Sequence, residues 1–203
     1  PRMISDAYQL LFELTAIDKQ HHVTESGKAL ARWPLDVRLA RMVEEGVKAG
    51  CLEDMMVLAA ALSIQDPRER PLEAKAAADE MHRRFADDIS DFTTFLNLWR
   101  HLRNKRKEVS GNQFRKLCRR EFLNWQRVLE WFDIYQQLRD QAREDRRLLS
   151  GRVGNFEQVH LSLMAGLLSH CGRKHPEDQG YTGARSSTYH IFPGSGLFGS
   201  SPK

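Results

Sequence analysis

The chain has 203 residues, 41% of them hydrophobic and 29% charged, which is enough to bury a core and form one to three small domains. Its formal net charge of +4 permits a polyanionic partner without requiring one. It has neither an apolar run long enough to cross a membrane nor an apolar leader, which excludes a transmembrane helix and argues against secretion. Three widely separated cysteines indicate reduced thiols in a cytoplasmic protein.

The first part of the chain has the pattern of helices broken by a short turn. Apolar residues recur at helical spacing over 5–14, and 17–23 is expected to form a turn and a strand. Thr24 can accept a hydrogen bond from a free amide of the next turn, so it is expected to cap a second helix. Pro34 ends that helix, because the residue before a proline is pushed out of the α region.

Two further helices follow directly. Asp36 is expected to cap a helix over 37–49, and Gly50 is expected to end it. Residues 53–63 predict another helix that is mostly buried. A loop punctuated by two prolines follows at 65–71.

From residue 72 to about residue 171 the pattern is helical. Asp91 and Asn112 are expected N-caps, and Gly111 and Gly151 are expected to lie in the breaks between helices. The predicted helices cover 73–86, 91–107, 113–122, 124–148 and 155–171. The pattern predicts a mainly α chain built around a helical bundle.

After Gly172 the residues become β-prone. Tyr181–Arg185 and Thr188–Phe192 are separated by a Ser-Ser turn and predict a β-hairpin, and Pro193–Gly196 predicts a further turn. The chain begins abruptly at Pro1 and stops soon after the hairpin. We expect both ends to be cuts in a longer polypeptide.

Several motifs, in the same order, resemble the region that follows the motor in DEAH-box RNA helicases. Thr24–Met42 contains Pro-Leu-Asp-x-Arg-Leu-Ala-Arg-Met and is similar to the winged-helix signature of that family. The other motifs are Gly50–Leu52 with Ala59–Ser63 and Asp66–Pro67, Ser90–Phe92 with Thr94, Leu96 and Trp99, Cys118–Phe122 with Arg127 and Gln137–Leu138, and Tyr181–Arg185 with His190–Phe198. The last of these resembles the opening strands of the family's OB-fold. Its residues are most similar to those of the bacterial HrpA-like branch.

The resemblance implies three domains. Residues 1–49 would form a winged helix and 50–158 a helical ratchet bundle. Residues 159–203 would add the last bundle helix and the truncated start of an OB-fold, since five strands do not fit in so short a segment.

The resemblance also implies a role. The chain would close the RNA channel over two RecA-like motor domains that lie upstream, and would contact single-stranded RNA as the parent helicase moves 3′ to 5′. The sequence has no Gly-x-x-x-x-Gly-Lys-Ser/Thr loop and no Asp-Glu-Ala-His run, so this chain cannot hydrolyse ATP alone. ATP and Mg²⁺ would bind the parent protein, which is expected to be a monomer.

Candidate RNA contacts concentrate between residues 100 and 127. Ten basic residues oppose only Glu108 and Glu121 there, which gives a net charge of +8, twice that of the whole chain. Such a cluster binds phosphates without sequence preference. Trp99, Phe114 and Trp125 interleave the charges. A solvated helix face over an aromatic core is the alternative interpretation. The ten basic residues are Arg100, Arg103, Lys105, Arg106, Lys107, Arg115, Lys116, Arg119, Arg120 and Arg127.

A second set of candidates lies in the predicted hairpin and the turn after it. Tyr189 can stack on a base and Arg185 can meet a phosphate, as in OB-folds that bind single strands. Tyr189 could equally belong to the interior of the sheet. The residues we select as candidate RNA contacts are Arg100, Arg103, Lys105, Arg106, Lys107, Arg115, Lys116, Arg185, Tyr189 and Ser195.

Other chemistry is poorly supported. Trp33 and Trp131 are expected in the core. His170, Cys171 and His175 lack a fourth ligand at structural zinc spacing, so no metal site is predicted. No catalytic triad can be argued. A non-enzymatic helical adaptor that binds a protein partner is the alternative function.

Overall fold

The computed structural model describes residues 2–144, 153–174 and 180–200, and these residues confirm a mainly α fold with a small β segment. They divide into two compact units. Unit 1 comprises Pro1–Ser63 and Ile134–Leu168, and unit 2 comprises Ile64–Asp133 and Ser169–Lys203. The division into a winged helix, a ratchet bundle and an OB-fold start stays a prediction.

The helices in the described ranges follow the predicted order. They are α1 (Arg2–Glu13), α2 (Glu25–Leu30), α3 (Val37–Ala49), α4 (Leu52–Ser63), α5 (Lys75–Arg83), α6 (Asp91–Glu108), α7 (Gly111–Arg120), α8 (Trp125–Glu144) and α9 (Phe156–Leu167). Short 3₁₀ turns occupy Leu72–Ala74, Leu168–His170 and Ala184–Ser186. The predicted extension of α8 to residue 148 lies outside the described residues.

The predicted caps in unit 1 are confirmed. The Thr24 hydroxyl accepts from the amide of Gly27 at 3.0 Å, and the Asp36 carboxylate accepts from Arg38 at 2.9 Å. Gly50 ends α3 with φ 76°, a left-handed conformation that suits glycine. The expected strand at 17–23 is reduced to one antiparallel bridge between Ile17 and Val23.

Two predicted caps in unit 2 are wrong by one or two residues. Ser90, not Asp91, caps α6 and accepts from the Thr93 amide. Ser110, not Asn112, caps α7 in a capping box with Gln113. A serine hydroxyl already reaches the third amide of each helix, so the later residues become helical. Gly111 is therefore the first residue of α7 rather than part of the break, and Gly151 lies outside the described residues.

In unit 1, α9 packs on α3 and α4 around the fully buried side chains of Met42, Met55 and Leu58. Gly166 permits the close approach of α9 to α3, because a Cβ there would collide with the backbone of Arg38. Trp33 is buried as predicted.

The core of unit 2 is aromatic. The Trp99 ring lies 5.1 Å from Trp131 and 4.5 Å from Phe132, measured between ring centroids. Phe114 meets Trp125 edge-on at 5.5 Å. Trp131 is fully buried, which confirms its predicted place in the core.

The small sheet has the order β1-β2-β3, formed by Gly172–Lys174, Tyr181–Gly183 and Thr188–Tyr189. The antiparallel pairing of β2 with β3, in which Tyr181 faces Tyr189, confirms the predicted hairpin. β1 was not predicted, because Gly-Arg-Lys has no strand pattern of its own and is extended by pairing with β2.

Candidate nucleic-acid interface

Helix α7 separates apolar from basic residues. Phe114, Leu117 and Cys118 are buried on one side. At 3.6 residues per turn, the opposite side of the helix carries four exposed cations. We call this group the α7 basic face: Arg115, Lys116, Arg119 and Arg120.

The α7 basic face has no counter-charge in the part of the chain that the structure describes. None of its four side chains makes an ion pair or hydrogen bond with another described residue, and Arg103 and Lys107 on α6 share this property. An unpaired cation can bind an external anion directly. A cation that is already paired with a carboxylate attracts such an anion less, because its charge is partly neutralised.

The other basic residues of the stretch already have partners. Lys105 pairs with Glu108 at 2.6 Å, and Arg127 donates to the Asp66 carbonyl at 3.0 Å. Arg106 lies over the Phe132 ring, 4.4 Å from its centroid. Arg100 is exposed and donates to the Asn97 side chain at 3.2 Å. The structure thus divides the stretch into free and engaged cations.

The aromatic residues between these charges belong to the core. Trp99 is 3% exposed and Phe114 is 1% exposed, while Trp125 is half-buried against Phe114. A base needs an accessible ring face to stack on. The aromatic part of the stretch therefore follows the alternative interpretation, a hydrophobic core beneath a charged surface.

A buried carboxylate lies just beyond the end of α7. Glu121 is 3% exposed and accepts from Arg84 at 2.6 Å and from His101 at 2.9 Å. Burial alone would raise the pKa of Glu121, but the hydrogen bonds from His101 and Arg84 outweigh it and lower that pKa. The contacts tie the end of α7 to α6 and to the residue that follows α5.

His82 strengthens the same junction. Its Nε2 lies 3.0 Å from the carbonyl of Glu121 and 3.2 Å from that of Phe122. Burial lowers the pKa of His82 despite these two backbone bonds, which raise it. A neutral ring can donate its single Nε2 proton to these carbonyls.

The candidates near the C-terminus have local roles. The Tyr189 ring lies against Gly183, where any Cβ would collide with it, so the ring is half-buried on its own sheet. The Ser195 hydroxyl accepts from the Leu197 amide at 3.1 Å within a turn. The side chain of Arg185 lies outside the described residues. No described contact joins Tyr189 or Ser195 to the α7 basic face.

Metal-binding clusters and membrane-spanning helices are absent from the part of the chain that the structure describes. The described ranges contain no group of three or more His, Cys, Asp or Glu residues arranged to hold a metal ion, and His175 lies outside them. Within the same ranges, no helix has the length and apolar character needed to cross a membrane.

Sequence comparison identifies the class of protein. Residues 36–124 match the family of ratchet-like helicase-associated domains. This part of the chain therefore carries a helicase-associated domain, and the match supports an accessory region of a DEAH-box RNA helicase.

Individual helicases align with this chain over all or nearly all of its length. It is 48% identical to the ATP-dependent RNA helicase HrpA of Escherichia coli and 47% identical to the HrpA homolog of Haemophilus influenzae, with all of the chain aligned in each case. It is 26% identical to the human probable ATP-dependent RNA helicase DHX35 over 97% of the chain. The chain spans 16% of the length of each bacterial relative and 27% of the human one.

Sequence reasoning did not select Arg119 and Arg120 as contacts, although the structure places them beside Arg115 and Lys116. Arg119 and Arg120 follow Arg115 and Lys116 by four residues, and this spacing places them on the same helix face, so the sequence did contain a signal for them. No local signal could have paired Glu121 with Arg84, because the two lie on different elements.

Proposed function

We propose that this chain is the accessory region of an ATP-dependent 3′-to-5′ RNA helicase. It closes the RNA channel over motor domains that lie outside the chain, and it contacts single-stranded RNA. The helicase part of this proposal comes from the relatives, which are named as ATP-dependent RNA helicases. The unpaired α7 basic face is the observation that supports an RNA contact made by this chain. ATP and Mg²⁺ are assigned to the motor. The three free cysteines fit a reducing cytoplasm.

The α7 basic face suits RNA for an electrostatic reason. Cations on one exposed helix face displace the counterions condensed on a nucleic acid, and this displacement gives affinity that falls with salt. Four contacts to a single strand correspond to a slope of roughly −2.8 in log K against log salt. Affinity would then fall about fiftyfold between 50 and 200 mM salt.

The test compares two variants of equal charge. The first replaces the α7 basic face by glutamine (R115Q, K116Q, R119Q and R120Q). The control neutralises four exposed basic residues of unit 1, K19Q, K28Q, R32Q and K48Q. Fluorescence anisotropy with a labelled single-stranded RNA measures the affinity of each across a salt series.

We expect the α7 variant to lose most of its affinity and up to about three units of the salt slope. The control, which changes the net charge equally, should retain most of both. If the two variants bind RNA equally well, or if wild-type binding ignores salt, the α7 basic face is not the RNA contact.

A protein-binding adaptor is the second candidate, favoured by exposed apolar residues on α1. Met3, Ile4, Tyr8 and Phe12 are each at least 43% exposed. Such residues suit contact with protein, and in the first proposal they would face the remainder of the parent helicase. RNA binding that is absent from wild type as well as from both variants would favour the adaptor.

A further inference from the structure

Helix α9 is apolar on two opposite sides, although only one of them is buried. The buried side contains Val159 and Leu163, and α9 packs on α3 and α4. The opposite side carries two exposed apolar residues, and the 3₁₀ turn that follows α9 adds a third. Their exposed fractions are 56%, 45% and 61%. We call these three residues the α9 outer face: Leu161, Met164 and Leu168.

Helix α4 shows what such a composition normally implies. It is also apolar around its circumference, and every residue from Met55 to Ala61 is buried. A helix that is hydrophobic all round is usually buried all round. The packing of unit 1 achieves this for α4 but covers only one side of α9. The α9 outer face is therefore expected to be covered by a further element.

The spacing of the α9 outer face specifies the shape of that element. Met164 follows Leu161 by three residues, and Leu168 follows Met164 by four. Apolar residues at alternating spacings of three and four form a narrow seam along one side of a helix, and such a seam packs lengthwise against a second helix. The element that fits this face is an α-helix with an apolar stripe of its own.

The charges of α9 argue against other occupants. Its one charged side chain is Glu157, in the first turn, and its last turn has no basic residue. A nucleic acid is held mainly by lysine and arginine, and a helix that lies on a lipid surface usually carries the same residues on its polar face. The α9 outer face therefore suits an apolar protein segment.

The size of the face favours a segment that is tethered to it. Three partly exposed side chains present at most a few hundred Å², whereas a stable complex of separate proteins buries about 800 Å² on each partner. A segment of the same polypeptide needs less contact, because tethering raises its effective concentration. The chain spans only 16% of the length of each bacterial relative, so most of each relative's polypeptide lies outside the aligned region.

We infer that the α9 outer face is the docking surface for an apolar helix of the same parent polypeptide that lies outside residues 1–203. This inference rests on the part of the proposed function that makes the chain a region of a longer protein. It does not depend on the RNA contact, which concerns α7 in unit 2. Docking at α9 would hold unit 1 against another part of the parent.

The test measures how fast a thiol reagent modifies M164C in the 203-residue chain and in the full-length parent protein. Peptide mass spectrometry identifies the modified position. The matched control is K48C, on α3 of the same unit, where the lysine side chain is 60% exposed. Circular dichroism of each variant chain confirms that its helices are retained.

We expect M164C to react about as fast as K48C in the chain. In the full-length protein M164C should react at least about tenfold more slowly, because the docked helix must first open, while K48C keeps its rate. Equal rates for M164C in the two proteins would overturn the inference and leave the RNA contact standing. Slow modification in the chain that becomes fast on dilution would identify a second copy as the occupant and also overturn it.

A second variant tests whether apolar contact at α9 causes the protection. Adding L161D to M164C places a carboxylate on the outer face, at a position that is 56% exposed in the chain. In the full-length protein this change should restore fast modification at position 164, because a charge would be buried on docking. Protection that survives L161D would overturn the inference. RNA affinity of the M164C chain, measured by the anisotropy assay, should equal that of the wild type.

Discussion

Replacing Glu121 by glutamine is expected to destabilise unit 2 far more than the loss of an exposed ion pair. The Glu121 carboxylate is 3% exposed and accepts from Arg84 and His101. Glutamine keeps the shape of the side chain but removes its charge. It also brings an amide that must find its own acceptor in a buried site.

The magnitude follows from burial on both sides of the contact. A hydrogen bond to a charged group contributes about 1.5–3 kcal/mol. The Arg84 side chain is 40% exposed and the His101 side chain 21%, so solvent already screens part of the interaction. The glutamine oxygen can still accept one bond. We therefore expect a loss of about 1–2 kcal/mol in the free energy of unfolding.

The matched control is Glu108→Gln. Glu108 accepts from Lys105 at 2.6 Å across one turn of α6, but its side chain is 56% exposed. The expected loss is only about 0.3–0.5 kcal/mol. Urea unfolding followed by tryptophan fluorescence reports on unit 2 through Trp99 and Trp131, and an unchanged m-value would show that the same surface unfolds.

The pH dependence of the Glu121→Gln effect provides a second readout. The folded state lowers the pKa of Glu121, so its stabilisation is complete above the ordinary glutamate value of about 4.3 and is lost as pH falls towards the folded value. The gap between wild type and Glu121→Gln should be largest near neutral pH and should close on acidification. A gap that is independent of pH, or equal to that of Glu108→Gln, would refute the reasoning.

Two further predictions concern buried groups. Trp33→Phe should cost about 1–3 kcal/mol in urea unfolding, because the indole donates to the buried Glu44 carboxylate at 2.6 Å; unchanged stability would contradict this. A thiol reagent at neutral pH should label exposed Cys171 and spare Cys51 and Cys118 until urea is added. Burial raises the pKa of both buried thiols, that of Cys118 to about 12, so native labelling at Cys118, detected by peptide mass spectrometry, would argue against this packing.

The features predicted well from sequence depend on neighbouring residues. Thr24 and Asp36 cap helices through amides two or three positions away, and α3 covers Val37–Ala49 as predicted because both of its ends are set locally. The β2–β3 hairpin was also found, since its strands are joined by a short turn.

The features that the sequence could not supply depend on distant partners. β1 is a strand because β2 lies beside it, and nothing in Gly172–Lys174 indicates one. In the basic stretch, Lys105 and Glu108 pair at a spacing readable from sequence, whereas the partner of Arg127 is the carbonyl of Asp66. The unpaired cations could therefore be identified only from the tertiary structure.

The contacts of α9 impose an order on biosynthesis. The Gln158 side chain donates to the Ala49 carbonyl, 109 positions earlier, and the Gly154 amide donates to Asp54, 100 positions earlier. While the chain emerges from the ribosome, the apolar sides of α3 and α4 stay exposed to solvent until α9, the last helix of unit 1, has been synthesised. A truncation that keeps only residues 36–124, the range matched by the family, would leave that surface permanently open and is expected to aggregate.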